Sequence, residues 1–376
     1  MRVERVSSIR RVDEAEWRNL EPPDFPFFDY EFLIALERSH SVGRRSGWSP
    51  VYLICEEDEH VLGALPLYLK TDSYGEYVFD WAWANAYHEY GMPYYPKLVS
   101  AVPFTPATGP KLLVRPGADQ DPVAKALLDA AQKLADESGV SSSHALFLPE
   151  RELDAFEERG FAIRHSLQFH WRNRGYDAFP DYLDAMTSKR RRQVARERRQ
   201  IEGIEVERLT GDDLRPEHAT LMYGFYVDTY DRKWGSPYLT KGFLDEVFHT
   251  MRDRIMLAIA RDELTRRPVA GSLFFYKENA LFGRYWGAVK DVRNLHFELC
   301  YYQGIEFAVE RGMSLFEAGA QGEHKLARGF LPAVMYSAHD IRHPAFRRAI
   351  EHYIAEEREM ISYELAEYMH HDPYKG

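Results

Sequence analysis

The sequence predicts an α/β protein made of two copies of one fold, each a mixed central sheet flanked by helices. Three observations predict it. The chain has 376 residues, beyond the ~250–300 at which a single core stops growing. Segments of period two alternate with segments of helical period along its length. One pattern also recurs: Gly63-Ala64-Leu65-Pro66-Leu67-Tyr68-Leu69-Lys70 resembles Gly271-Ser272-Leu273-Phe274-Phe275-Tyr276-Lys277. Downstream of each come a helix, a short strand, a short polar helix and a turn, Glu158-Arg159-Gly160-Phe161 or Ala327-Arg328-Gly329-Phe330. Glycine there lets the chain leave a helix in a left-handed conformation before a strand begins. The expected division is an N-terminal domain over 1–172, with an aromatic, proline-rich insertion at about 81–115, and a C-terminal domain over 173–376 ending in a long helix.

In the first half, Val3 to Ile9 reads as a strand and Asp13 to Leu20 as a short capped helix; Pro22, Pro23 and Pro26 then break the chain. Tyr30 to His40 is helical, with Phe32, Leu33, Ala35 and Leu36 supplying an apolar face. Val51 to Cys55 and Val61 to Leu69 are strands about an acidic turn. From Tyr74 to Leu113 the expectation is one strand followed by a long loop, and long ordered loops are often functional. Val123 to Ser138 is an amphipathic helix, Ala145 to Leu148 a strand, Leu153 to Arg159 a short helix and Phe161 to Trp171 a strand. In the second half, helices are expected over Phe179 to Gln200, Glu217 to Asp231, Phe243 to Met251, Leu295 to Glu310 and Phe346 to Met369. Strands are expected over Ile204 to Leu209, Ile255 to Ala260, Val269 to Lys277, Ala280 to Ala288 and Leu315 to Ala318.

A net charge of −11 excludes a uniformly basic nucleic-acid binder but leaves room for a local basic patch. One such patch runs from Lys189 to Arg199: at helical spacing Lys189, Arg192, Arg196 and Arg199 form one stripe. It reads as a surface for tRNA phosphates, a CoA phosphate or another anion. The alternative is a solvated face paired with acids such as Glu356, Glu357 and Glu359. The two cysteines, Cys55 and Cys300, imply no disulfide framework. Met1-Arg2-Val3-Glu4-Arg5 lacks the apolar core of a signal peptide, and no run reaches the ~18 apolar residues of a membrane span. The expectation is a soluble cytoplasmic protein; oligomeric state is left open.

Several segments carry a family resemblance. They are Ser73-Tyr74-Gly75-Glu76-Tyr77-Val78-Phe79-Asp80-Trp81-Ala82-Trp83, Val102 to Pro110, Lys233-Trp234-Gly235, Gly283-Arg284-Tyr285-Trp286-Gly287, and above all Leu295 to Gln303 running on to Glu317 to Phe330. Through them nearly the whole chain resembles the FemAB-like predicted N-acyltransferases, described as peptidoglycan biosynthesis or recognition proteins. The resemblance implies tandem GNAT-like domains and a transferase moving an acyl or aminoacyl group from acyl-CoA or aminoacyl-tRNA. The acceptor would be a primary amine of a small molecule or peptide, such as a cell-wall precursor. No tightly bound cofactor is expected; His296, Glu298, His324 and Glu317 could in principle form a metal site, but no metal-ligand spacing supports one. Leu315 to Phe330 is also similar to the leucyl/phenylalanyl transferases, where an Asp ends the strand and a Glu-His pair follows. Here Glu317 and Glu323-His324 hold those places, and the sequence departs at Arg284, where those enzymes carry a glutamate. Of the glycine-rich turn that cradles the CoA pyrophosphate, Arg115-Pro116-Gly117-Ala118 keeps part, and Val289 to Asn294 keeps a basic pair without glycine.

Acyl transfer to an amine needs a base, donors for the oxyanion and an acid for the leaving group. Glu317, at a strand end beside a small turn, reads as base or amine anchor, or as a carboxylate paired with Lys325. Glu298 and Tyr302 share a helix face, and Tyr301 lies three residues from Glu298; they read as an acid/base pair or as core. His324 reads as a proton shuttle or a structural histidine. Lys325, Arg328 and Arg284 read as anion contacts or as ordinary ion-pair partners. Trp81, Trp83, Trp234, Tyr285 and Trp286 line a substrate groove in one reading and fill the core in the other. The combined expectation is one working cleft, mainly in the second half. The competing expectations are a non-catalytic protein that binds a peptidoglycan-type precursor, and an RNA-binding module using the arginine stripe.

Overall fold

The computed structural model describes all residues except 233, 234, 321 and 376, and no side chain at 231 or 232. Thirteen strands are described: β1 (Arg2–Val6), β2 (Trp48–Glu57), β3 (His60–Lys70), β4 (Lys97–Ser100), β5 (Leu113–Val114), β6 (Ser142–Leu148), β7 (Ala162–Arg172), β8 (Ile204–Thr210), β9 (Ile255–Asp262), β10 (Pro268–Lys277), β11 (Ala280–Ala288), β12 (Leu315–Glu317) and β13 (Leu331–Ile341). They fall into two compact units. The first comprises Met1–Pro22, Phe27–Leu167 and Val334–Tyr363; the second comprises Pro23–Pro26, Gln168–Ala333 and Glu364–Gly376.

In the first unit the strand order is β1-β2-β3-β4-β6-β13, with β5 beside β3. Every pair is antiparallel except β4 and β6, which are parallel. A parallel pair needs a crossover, and the helix Gln120–Ser138 supplies it. That helix buries Val123, Leu127, Leu128, Leu134 and Ala135 against Leu53, Leu65, Leu67 and Leu98 of the sheet. Each leucine so buried is worth about 1.5–3 kcal/mol. Gly139, left-handed at φ 61°, ends the helix.

The second unit repeats this plan. Its order is β8-β9-β10-β11-β12-β7, again antiparallel except for one parallel pair, β11 and β12. The crossover runs from Leu295–Phe297 through a π-helical turn, Glu298–Tyr302, to Gln303–Glu310, and Gly312 follows at φ 64°. Leu299, Ile305 and Ala308 pack on Phe274, Tyr276, Leu281 and Phe316. On the other face the helix Pro216–Arg232 lies directly on β11. A Cβ at Gly287 would stand 1.9 Å from the carbonyl oxygen of Phe225, so the contact requires glycine. Mixed sheets flanked by helices, duplicated in order and in direction, are the tandem GNAT-like architecture expected.

Four expectations change. The 172/173 division gives way to an exchange: the closing strand of the first sheet is β13, from the end of the chain, and that of the second is the end of β7. Val334–Tyr363 therefore belongs to the first unit, because the β13 backbone pairs with β6. The insertion is not all loop. Trp83 and Tyr87, four apart, bury one face of a helix at Trp81–Glu89, and β4 follows it. The helix expected over Phe179 to Gln200 is two, Phe179–Ala185 and Ser188–Arg199, because extended Met186 makes a β-bridge to Tyr374. The sequence repeat is also out of step with the structural one. A Cβ on Gly63 would meet Val123 of the crossover helix, whereas one on Gly271 would meet Phe225 on the opposite face.

Candidate functional site

The second sheet opens at Glu317. The β11–β12 ladder pairs Ala280 with Leu315, Leu281 with Phe316 and Phe282 with Glu317, and there it stops. β11 runs on to Ala288 while the chain after Glu317 turns away through Gly319, at φ 84°. From Phe282 to Ala288 this side of β11 extends for roughly 20 Å at the usual strand rise.

Glu317, 3% exposed, stands at the start of this strip. Across the β12–β7 ladder it faces His170, whose Nε2 lies 3.9 Å from Oε1. Burial, reinforced by the charges of Arg172 and Lys325, pushes the His170 imidazole down to about 3, so it is neutral at pH 7. Lys325, only 1% exposed, donates from Nζ to the Gly319 carbonyl at 2.6 Å. Burial lowers its ammonium to about 8, against the opposing pull of Cys300 and Glu317. The Cys300 thiol is pushed up to about 12 by burial and is no nucleophile at neutral pH. Tyr301 Oη lies 2.8 Å from Nε2 of the exposed His324. Burial raises the phenol, and burial with the charges of Arg328 and Lys325 lowers the imidazole.

The strip ends at a cavity of about 380 Å³ lined by Trp286, His296, Leu295, Thr229, Lys290 and Asp291 among others. His296 also packs edge-on against Tyr301 at 5.4 Å, which links the cavity wall to the Tyr301–His324 pair. Asn294, just before the cavity helix, donates to Gln200 at 2.9 Å and so ties the cavity to the end of the basic helix. Lys189, Arg192, Arg196 and Arg199 are all exposed on that helix, and none has a side-chain partner among the described residues. Of the acids weighed as their partners, Glu357 accepts from Arg164 at 2.6 and 2.8 Å, and Glu356 faces His352.

Other expected site residues make contacts within the protein. Arg198 grips both oxygens of Glu298 at 3.0 and 2.9 Å, and Gln303 donates to it at 2.7 Å. Both carboxylate oxygens of Glu298 are therefore engaged within the protein. Tyr302 donates to Glu197, and Arg328 binds both oxygens of the same carboxylate at 3.1 and 2.8 Å. Arg328 also donates to the His324 carbonyl at 2.7 Å and covers the Phe297 ring at 3.4 Å. Its guanidinium is buried and tied to Glu197. Arg284 lies over Tyr285, which packs on Tyr226. Trp83, 4% exposed, belongs to the first unit's core with Tyr87, Tyr94, Ile341 and Ile350. Trp81 is 39% exposed and edge-on to Tyr74. Trp234 lies outside the described residues.

The first unit holds a counterpart of Glu317. Counting five residues from the left-handed glycine that ends each crossover helix gives Glu317 after Gly312 and His144 after Gly139. His144 faces His339 across the β6–β13 ladder as Glu317 faces His170. The two imidazoles meet Nδ1 to Nδ1 at 2.7 Å, with Trp83 perpendicular to His339 at 4.9 Å. Burial pushes both well below the usual histidine range. Beyond β4 the residues from Ala101 to Ala107 are buried throughout, and Gly109 donates to the Phe147 carbonyl of β6. Where the second unit is open, the first is filled by its own chain.

Sequence reasoning missed His170 and Glu197. His170 carries no local signal, since its partner lies far along the chain. Glu197 had one: it is the single acid within the basic run, and it is buried. Missed too was the first unit's buried cluster. There Lys97 donates to Glu76 at 2.8 Å and to Ser73 at 2.9 Å, and also reaches Asp80. It anchors the conspicuous Ser73 to Trp83 segment.

The chain is similar in structure to FemX, with TM-score 0.56 and 12% identity over 93% of this chain and 100% of that one. It is also similar to L-PGS from Bacillus licheniformis, with TM-score 0.50 and 12% identity over 85% of this chain and 95% of that one. At such identities the likeness establishes the fold. No curated protein matches the sequence. A family model described as peptidoglycan biosynthesis/recognition, FemAB-like, matches residues 8–376, and with all but the first few residues so covered, the chain belongs to the FemAB-like family.

Proposed function

We propose that this protein is a transferase that moves an acyl or aminoacyl group from an activated donor to a primary amine, working from its second unit. The observation that carries this reading is the parting of β11 from β12 at a buried carboxylate, with an open strip leading to a cavity. An attacking amine must lose a proton, the carbonyl oxygen must be stabilised as it becomes an oxyanion, and the leaving atom must gain a proton. Glu317 takes the amine proton. Lys325, whose ammonium dissociates near pH 8, stabilises the oxyanion and protonates the leaving group. The Tyr301–His324 pair is a second proton carrier beside the cavity.

The donor is acyl-CoA or aminoacyl-tRNA. Both are polyanions, and the four free cations of the Ser188–Arg199 helix suit either. The family description favours the amine of a peptidoglycan precursor as acceptor. Among the described residues no helix is long and apolar enough to cross a membrane. We place the reaction in the cytoplasm, where both donors are made.

The test incubates the protein with labelled acetyl-CoA or with aminoacylated tRNA and a lysine-bearing precursor peptide, and weighs the products. A new amide from one donor, absent with Glu317→Gln, is the expected result. Saturable binding of the peptide with no product from either donor would leave a recognition protein instead.

A further inference from the structure

We infer that His144 and His339 form an acid-sensitive clasp, which holds β13, the closing strand of the first sheet, against β6. The two residues are direct partners in the antiparallel ladder, and both are buried. Their rings meet Nδ1 to Nδ1 at 2.7 Å. At that distance one nitrogen donates and the other accepts, so a single hydrogen lies between them. Each neutral ring carries one N–H. The donating ring therefore has a bare Nε2, and the accepting ring keeps its hydrogen there. Ser142 Oγ stands 2.7 Å from Nε2 of His144, and Ser337 Oγ stands 2.8 Å from that of His339. A hydroxyl both donates and accepts, so the two serines satisfy whichever ring is the donor.

The contact counts protons. With one proton added, an imidazolium donates from Nδ1 to its neutral partner and from Nε2 to its serine. With two added, both Nδ1 atoms carry hydrogens pointed at each other, and the rung must part. The surroundings oppose even the first. Lys97 of β4 and Arg164 of β7 repel a positive charge on the rings, and Asp80 pulls the other way. Asp80 is already engaged: it accepts from Tyr94 at 2.7 Å and from Lys97. Tyr94, its hydrogen so committed, lies 3.4 Å from Nε2 of His144. Trp83 presents only a ring to His339. Around the rung stand Glu76, bound to Lys97 at 2.8 Å, and His165 of β7, edge-on to Tyr336 of β13. Asp340, next on β13, is held by Arg342 and Arg347 at 2.8 and 2.5 Å. Burial, with the Lys97 and Arg164 charges, keeps both imidazoles well below their usual range.

The direction follows by linkage. Above pH 6.5 neither the closed nor the open pair takes up protons, and the clasp is at full strength. Below pH 6.5 the open form binds protons that the closed form refuses, so closure weakens as pH falls. From pH 7.5 to 5.5 two such groups together lower the closed-to-open ratio by up to about 100-fold. Glu76, raised to about 7 by burial, acts in the opposite direction, but it sits on Lys97 and not on the rung.

The test follows amide hydrogen exchange of the intact protein between pH 7.5 and 5.5, with rates corrected for the intrinsic effect of pH. Segments 142–148 and 335–341 are compared in the parent and in the double variant His144→Asn/His339→Asn, which pairs amides that do not titrate while leaving Glu76 in place. Over that range the parent should lose at least about tenfold more protection in both segments than the variant does. A smaller difference overturns the clasp. A second reading needs no variant. In histidine-labelled parent protein, the hydrogen shared by the two Nδ1 atoms should give a far-downfield proton signal at pH 7.5, lost on acidification together with the protection of β13. Two imidazoles that titrate near pH 6.5 while β13 stays protected would overturn the clasp equally.

Discussion

The imidazole of His170 and the carboxylate of Glu317 lie 3.9 Å apart across the β7–β12 ladder, and the imidazole stays uncharged down to about pH 3. A neutral imidazole places no positive charge against Glu317. Glu317→Gln keeps the shape and removes the carboxylate. It should lower kcat by about 10²–10⁴-fold, the usual weight of general acid–base catalysis, with an unchanged circular dichroism spectrum. Activity within twofold of the parent would dismiss Glu317 as the base.

Lys325 gives a prediction about stability. Its folded pKa, about 8, lies below the unfolded value of 10.5. Below pH 8 both states hold the proton and burial of the ammonium costs the fold its full penalty. Between pH 8 and 10.5 the unfolded state binds more protons, so stability rises with pH. Relative to Lys325→Met, the parent should gain up to about 3 kcal/mol over that window, read from urea melts of both proteins at several pH values. Parallel curves would show that the lysine is not depressed.

The basic stripe bears on the donor. Replacement of Lys189, Arg192, Arg196 and Arg199 together by glutamine touches no intramolecular partner, so stability should move by no more than about 0.5 kcal/mol per site. If tRNA is the donor, its affinity should fall and the slope of log K against log salt should shrink by about 3. An unchanged slope with intact CoA binding would assign the stripe no part in RNA recognition.

The Glu197–Arg328 tie is structural by this account. Glu197→Ala leaves a buried guanidinium without its carboxylate and should cost about 3–5 kcal/mol. The loss should appear in the melting temperature and also when no substrate is present. A stable Glu197→Ala protein with impaired donor binding would instead restore Arg328 as an anion contact.

Trp83 tests the reassigned groove. As a core residue packed against His339 it should cost about 3–5 kcal/mol when cut to alanine, while the KM values of the surviving folded protein stay put. Weakened substrate binding at full stability would return it to the groove.

The elements that could be read from sequence are those whose signals are local. The Val123 to Ser138 helix shows its apolar face at helical spacing, the strand ending at Glu317 is bounded by a small-residue turn, and the arginine stripe is a matter of counting. The site assignments that changed depend on distant partners. Glu298 is neutralised by Arg198, 100 residues away, and Arg328 by Glu197, 131 residues away. No window along the chain contains either pair. Helix Trp81–Glu89 was hidden differently: proline and glycine on both sides masked a nine-residue run whose inward face is only Trp83 and Tyr87. β13 was passed over because its partner, β6, belongs to the other half of the chain.

That exchange of closing strands has a consequence for synthesis. A ribosome that has finished β6 has made every part of the first sheet except its last strand, and β13 lies near the far end of the message. At about 5–20 residues per second, β6 remains an open edge for roughly 10–35 s. An exposed strand edge is a template for wrong pairing. The nascent first half thus stays a client for chaperones until translation is almost complete, and a messenger truncated between the halves would yield a sheet that never closes.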